Sequence, residues 1–333
     1  MRITSIFLLI LVLLTGSSCF KEDDRVTPHA KGDLSSDTIA LTQDYRYQAW
    51  FSLDSGQVVR TMEKTAYDLG FECGEKGWRI LLNTANFMKV ADLGTVPFGQ
   101  PYDTVGKTLR FDKSDGNPDS TAIGEWFTVS RGDTVTKGHV YAISRGIDEA
   151  GNPLGLYQFI LDSLKTGVYY FRYAPLAGGT GISASVGRDP ARSYAWFSLP
   201  LGETVQAEPP KTAFDLLFTQ YTTMLYTDAG EPYPYLVTGA LLNRHLVVAA
   251  MDTVTDFFSI NRETALAMDF SKAMDFIGYD WKDYDFNSGV YTVKPRMNYV
   301  LRSAEGYYYK MRFVGFYNKA GLKGYPVIEY LEL

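Results

Sequence analysis

The chain has 333 residues, of which 46% are hydrophobic, 15% aromatic and 21% charged, with a formal net charge of −6. This composition excludes global disorder, supplies material for packed cores, and at this length suggests about two domains. The acidic balance and the lack of a basic stripe exclude a nucleic-acid partner, because nothing is available to displace counterions from phosphates.

The N-terminus reads as a processing segment. Met1-Arg2 precedes an apolar run over residues 6–14, and Thr15-Gly16-Ser17-Ser18-Cys19 follows, which is the order and length of a secretory signal and not of a membrane span. Small residues ending in Cys resemble a bacterial lipobox, with Gly16 where a Leu is usual, and this makes Cys19 the expected lipidation site. Phe20-Lys21-Glu22-Asp23-Asp24 then resembles the signal that exports Bacteroidetes lipoproteins to the outer face of the outer membrane. Residues 20–37 are polar and read as a flexible tether. Cys73 has no plausible partner and reads as a small buried hydrophobe.

An internal duplication organises the rest. Ala49-Trp50-Phe51-Ser52-Leu53 returns as Ala195-Trp196-Phe197-Ser198-Leu199 at an offset of 146, and Lys64-Thr65-Ala66-Tyr67-Asp68-Leu69 meets Lys211-Thr212-Ala213-Phe214-Asp215-Leu216 at 147. The expected organisation is therefore residues 1–19 as signal, 20–37 as tether, and two tandem homologous β domains over 38–178 and 179–333. The aromatic blocks read as strands, with Trp50 and Trp196 expected in the cores. Residues 112–120, rich in Gly, Pro and Asp, read as a surface loop, and Ala177-Gly178-Gly179-Thr180-Gly181 as a linker rather than a phosphate loop. In the last part Tyr307, Tyr309, Met311 and Phe313 alternate with Lys310 and Arg312, the period of a half-buried strand. Ser303-Ala304-Glu305-Gly306 supplies the turn before it. Only residues 261–276 have helical spacing, behind a cap at Asn261. The fold class expected is all-β, predominantly antiparallel, with little helix.

Chemistry is sparse. Three scattered histidines, and the absence of a zinc-protease, nucleophile-elbow or Cys-x-x-Cys motif, argue against an enzyme. Asp283, Asp285 and Asn287 copy the start of a calcium loop, but Ser288 stands where Gly is required and Lys294 where a bidentate Glu should be, so an acidic strand face is expected instead. For a flat apolar ligand such as haem, the available soft or imidazole ligands are His245 and His139, with Met268, Met274 and Met297 in the second repeat and Met88 in the first, set against the ordinary role of Met as core filler.

Each half resembles the HmuY-type haem-binding lipoproteins of Bacteroidetes, through the Trp-Phe-Ser block and the strands at Tyr67-Asp68 and Phe214-Asp215. The run from Tyr291-Thr292-Val293-Lys294-Pro295 through Tyr309-Lys310-Met311 to Ile328-Glu329-Tyr330 is similar to that family's closing hairpin and last strand. The resemblance implies a surface-exposed, lipid-anchored outer-membrane β protein that captures haem and hands it to an outer-membrane transporter. Where a His can precede the Lys-Pro segment in that family, Tyr291 stands here, so haem binding is implied as a class without its ligands. Met268, Met274 and His245 are then the candidates. The alternative is a non-enzymatic glycan- or protein-binding scaffold whose exposed aromatics stack on sugars or a partner.

Overall fold

The structure, a computed structural model, describes residues 32–74, 78–130 and 133–333. The signal segment, Cys19 and the tether up to residue 31 lie outside the described residues. The chain begins with β1 Ser35–Thr38, β2 Tyr47–Ser52, β3 Gln57–Glu63, β4 Leu69–Glu72, β5 Ile80–Leu82 and β6 Lys89–Gly94. The ribbon β7 Phe127–Ser130 and β8 Asp133–Thr136 follows, then β9 Val140–Ser144, β10 Leu156–Lys165 and β11 Val168–Pro175. The second half holds β12 Ile182–Gly187, β13 Tyr194–Ser198, β14 Glu203–Val205, β15 Leu216–Tyr226, β16 Pro232–Leu242 and β17 Val248–Asp252. It closes with β18 Lys282–Asp285, β19 Val290–Val293, β20 Asn298–Arg302, β21 Tyr308–Tyr317 and β22 Lys323–Glu332.

Among the described residues these strands pair antiparallel, and the all-β expectation holds. Two sheets have five strands, in the orders β1-β22-β21-β20-β17 and β12-β11-β10-β9-β6. Two have four, in the orders β16-β15-β2-β3 and β14-β13-β4-β5.

The repeats exchange their opening strands. β2, from the first copy, pairs with β15 of the second through Phe51 opposite Leu216. β13, the second copy, pairs with β4 of the first through Phe197 opposite Leu69. A cut between residues 178 and 179 therefore separates the sequence repeats but not the cores. The tether expectation also ends early, because Ser35–Thr38 adds to the edge of β22.

Period-two alternation decides which side chains enter each core. Ala49, Phe51 and Leu53 of the first copy pack with Leu216, Phe218, Trp281 and Phe313. Ala195, Phe197 and Leu199 of the second pack with Phe71, Phe159 and Phe171. Burying each Phe contributes about 1.5–3 kcal/mol, so either exchanged strand is held by several such side chains. Trp50 and Trp196 fall on the opposite faces of β2 and β13. Trp50 is 2% exposed, buried as expected, whereas Trp196 is only half-buried; both line a cavity where the two four-stranded sheets meet. Gly70 lies directly opposite Trp196, and a Cβ at Gly70 would stand 2.8 Å from the indole, so only glycine fits under that ring.

The expected helix over 261–276 shrinks to one turn, α1 Arg262–Leu266. Its start is as read, with the Asn261 side chain accepting from Thr264 N in a capping box. Beyond Leu266 the backbone extends and Ser271 bonds Ala249 of β17 in both directions, which a helix would forbid. In β21 the odd residues Tyr309, Met311 and Phe313 are buried as expected, but Lys310 is buried too, its Nζ donating to Ile260 O at 2.8 Å. The segment before α1 covers that face.

Candidate functional site

The segment over residues 109–122 is a wall common to three concavities. The sequence reads residues 112–120 of it as a surface loop, yet Asp112 is 3% exposed. Its carboxylate accepts from Leu82 N at 2.7 Å and Ala122 N at 2.7 Å, which pins the loop to β5 and closes it on itself. Burial pushes the carboxyl up to about 6, against the lowering effect of those two N–H groups. Nothing local in the sequence marks Asp112 as buried, since its partners are backbone amides, one on β5 and one at the far end of its own segment.

Behind the segment lies the cavity between the two four-stranded sheets, with a volume of about 100 Å³. Trp50, Tyr67, Tyr194 and Trp196 wall it, with Glu208 and Asp112 as buried acids and Arg244 reaching the Tyr194 hydroxyl. Burial pushes Glu208 up to about 7, its remaining support being the Ser193 N–H at 3.1 Å and contacts to Trp196 and Arg192. This volume is well under the roughly 300–1,000 Å³ of ordinary ligand pockets.

In front, between the segment and the outer part of the β15–β16 hairpin, is an open cleft of about 720 Å³. Leu109, Phe111, Met224 and Tyr226 give it apolar walls, and Arg110 and Lys113 bring cations. Of its carboxylates, Asp119 pairs with Arg79 at 3.1 Å and Asp275 accepts from Ser114 Oγ at 2.5 Å. No described residue forms an ion pair with Arg110 or Lys113. A third cleft, of about 480 Å³, adjoins at Asp115 and is lined by Arg244, His245 and Lys272. The cleft-forming hairpin is legible in retrospect from the turn residues Asp228-Ala229-Gly230 between two aromatic runs.

The sequence candidates are dispersed. Met268 packs with Val300, Leu333 and Tyr308, whereas Met274 packs with Tyr221, Val237 and Leu241. Met274 lies beneath Gly116, where a Cβ would stand 2.6 Å from its Sδ. His245 opens to the third cleft, and burial followed by the charges of Arg244 and Lys211 lowers its pKa. None of the three lines the wide cleft, whose one thioether is Met224. The acidic strand expected at Asp283 and Asp285 is β18, and Lys294 pairs with Asp283 at 3.2 Å. Cys73 is buried, and burial pushes its thiol up.

The described residues thus form an antiparallel β protein with a wide, partly apolar cleft beside one hairpin. The sequence matches the model of the HmuY protein family over residues 44–330, and the chain belongs to that family. None of the curated proteins matches it. Among solved structures it is similar to apo PinO from Porphyromonas gingivitis, at 10% identity and a TM-score of 0.36, covering 91% of this chain and 98% of that one. It is similar also to the apo HmuY analog of Tannerella forsythia, at 10% identity and 0.33, covering 93% and 98%. The family assignment rests on the sequence match.

Proposed function

We propose that this chain is a surface-exposed, outer-membrane lipoprotein, anchored through Cys19, that captures haem or a similar flat apolar ligand for uptake. The observation that carries the ligand class is the 720 Å³ cleft, in which apolar walls stand beside two cations that have no ion-pair partner among the described residues. Its volume lies within the ordinary range for ligand pockets. Leu109, Phe111 and Tyr226 would cover a flat apolar face, Arg110 and Lys113 would meet carboxylates at its edge, and Met224 would supply a soft ligand to iron. His245, one cleft away, is the remaining imidazole candidate, and Met268 and Met274 would have to move from their packed positions to serve. Haem here is cargo, passed on to an outer-membrane transporter, and no enzymatic step is required.

Titration of the purified chain with haemin tests this reading. A Soret shift that weakens in Met224→Ala and in Arg110→Ala/Lys113→Ala supports it, and a shift lost only in His245→Ala moves the site to the third cleft. No spectral change at any haemin concentration overturns it. A second reading, a glycan- or protein-binding scaffold, draws on Tyr235, 54% exposed on β16, and Phe286, 89% exposed beyond β18. Retention on an immobilised glycan array without a haemin response would favour it.

A further inference from the structure

Sheet edges are normally blunted by charge, Pro, shortness, bulges or cover, because their unpaired N–H and C=O groups recruit further strands. Seven of the eight edges in the four larger sheets obey this. β1 is short and carries Asp37, β5 and β14 span three residues each, and β3 carries Arg60 and Glu63. β16 begins with Pro232 and Pro234. β6 is covered by Arg110, through bonds of 2.8 and 2.9 Å with Val90, and β17 by Ser271, through bonds of 3.1 and 2.8 Å with Ala249. Among the described residues β12 has none of these devices. It reads Ile182-Ser183-Ala184-Ser185-Val186-Gly187.

The register shows which of its groups are open. Gly187 lies opposite Val168, and one step further Arg188 N donates to Gly167 O at 3.0 Å, so residues 188 and 167 form a hydrogen-bonded pair. Such pairs alternate along an antiparallel ladder, so Val186, Ala184 and Ile182 bond inward to β11. Ser183, Ser185 and Gly187 then turn their N–H and C=O groups outward, where all three are exposed and no described residue bonds them. On the core face Ile182, opposite the buried Tyr173, is left 52% exposed, so the apolar face runs on to an edge that no described residue closes.

The sequence of the strand specifies what fits there. Ile182-Ser183-Ala184-Ser185-Val186 is a palindrome in chemical type, reading apolar, Ser, Ala, Ser, apolar from either end. We propose that β12 pairs antiparallel with β12 of a second copy of this chain, about a twofold axis through Ala184. Ser183 then faces Ser185 of the copy in two hydrogen-bonded pairs, and Ile182 is covered by the copy's Val186. The symmetry is that of an isologous dimer, and the uncharged strand sets no like charges opposite one another. One strand pair is small beside the roughly 1,200–2,000 Å² of a standard stable interface, so the dimer is concentration-dependent.

Sedimentation velocity of the full-length chain over rising concentration is the test. The parent should shift from monomer to dimer. Ser183→Lys/Ser185→Lys, which sets Lys against Lys in both pairs, should weaken the dimer by about tenfold or more. Ser183→Lys/Ser185→Glu, which sets Lys against Glu in this register alone, should restore it and shows in the same run that charge on these exposed positions leaves the fold intact. A parent that stays monomeric to its solubility limit overturns the proposal, as does a dimer indifferent to the double Lys variant or not restored by the Lys/Glu pair.

Discussion

Asp68 and Asp215 occupy equivalent places in the two repeats, and each fastens the opening strand of the other repeat. Asp68 Oδ2 accepts from Leu199 N at 2.8 Å, and Asp215 Oδ2 accepts from Leu53 N at 2.7 Å. The second oxygens differ: Asp68 Oδ1 meets the buried Arg145 Nε at 2.7 Å, whereas Asp215 Oδ1 accepts from Ala304 N at 2.7 Å. Removing one partner of a buried ion pair costs about 3–5 kcal/mol, and leaving a buried N–H unpaired about 1–3. Asp68→Ala should therefore destabilise more than Asp215→Ala, with both well below the parent in urea unfolding. If either variant unfolds at the parent's midpoint, the clasp is not holding that strand.

Gly70 and Trp196 form the second contact specific to the exchange. A methyl group at Gly70 would meet the indole at 2.8 Å, and overpacking of this kind costs about 1–3 kcal/mol. Gly70→Ala should lose that much, and Trp196→Leu, made in the same background, should recover part of it. Additive losses in the double-mutant cycle would mean that the two positions do not press on each other.

The duplication and the strand content are legible in the sequence because a repeated Trp-Phe-Ser block and period-two alternation are local properties. The exchange is not. With two nearly identical opening strands, each presents the same apolar face, and nothing in either copy says whether its own repeat or the other one will cover it. The dispersal of Met268 and Met274 follows from the helix expected over 261–276 stopping short: pairing of Ser271 with β17 overrides a weak local preference. Buried Lys310 and Asp112 were hidden because each bonds a backbone group of a distant segment, Ile260 O and Leu82 N, which leaves no mark in the neighbouring sequence.

Glu208 makes the fold respond to pH. Its folded pKa, raised by burial to about 7 from an ordinary 4.5, means that the folded state holds the proton more tightly than the unfolded chain. The stability this contributes is fully present below about pH 4.5 and is lost as pH rises through about 7. Asp112 and Asp215, each raised to about 6 by burial, act in the same direction over a lower window. Glu208→Gln should flatten the decline in unfolding free energy between pH 5 and pH 8, by an amount on the order of 3 kcal/mol. Identical pH profiles for parent and variant would mean that Glu208 is ionised in the fold throughout.

Lys282 should act in the opposite direction and at higher pH. Its Nζ donates to Thr238 O at 2.5 Å and lies 4.3 Å from the centre of the Trp281 ring and 5.0 Å from that of Phe316, among buried aromatic rings. Burial lowers its pKa to about 7. Below that value the ammonium is charged in both states, whereas between about 7 and 10.5 the folded chain sheds the proton first, so the stability due to this group rises with pH across that window. Lys282→Met keeps the volume and removes the titration, and replacing a buried charge by an apolar isostere is often neutral or stabilising. The variant should match or exceed the parent at pH 7 and lack its gain towards pH 10, while Lys282→Ala, which also opens a cavity beside Trp281, should lose about 2 kcal/mol or more at both. A parent without any gain above pH 7 in guanidinium unfolding would show that the ammonium stays charged against Trp281, held there by the rings and the Thr238 carbonyl.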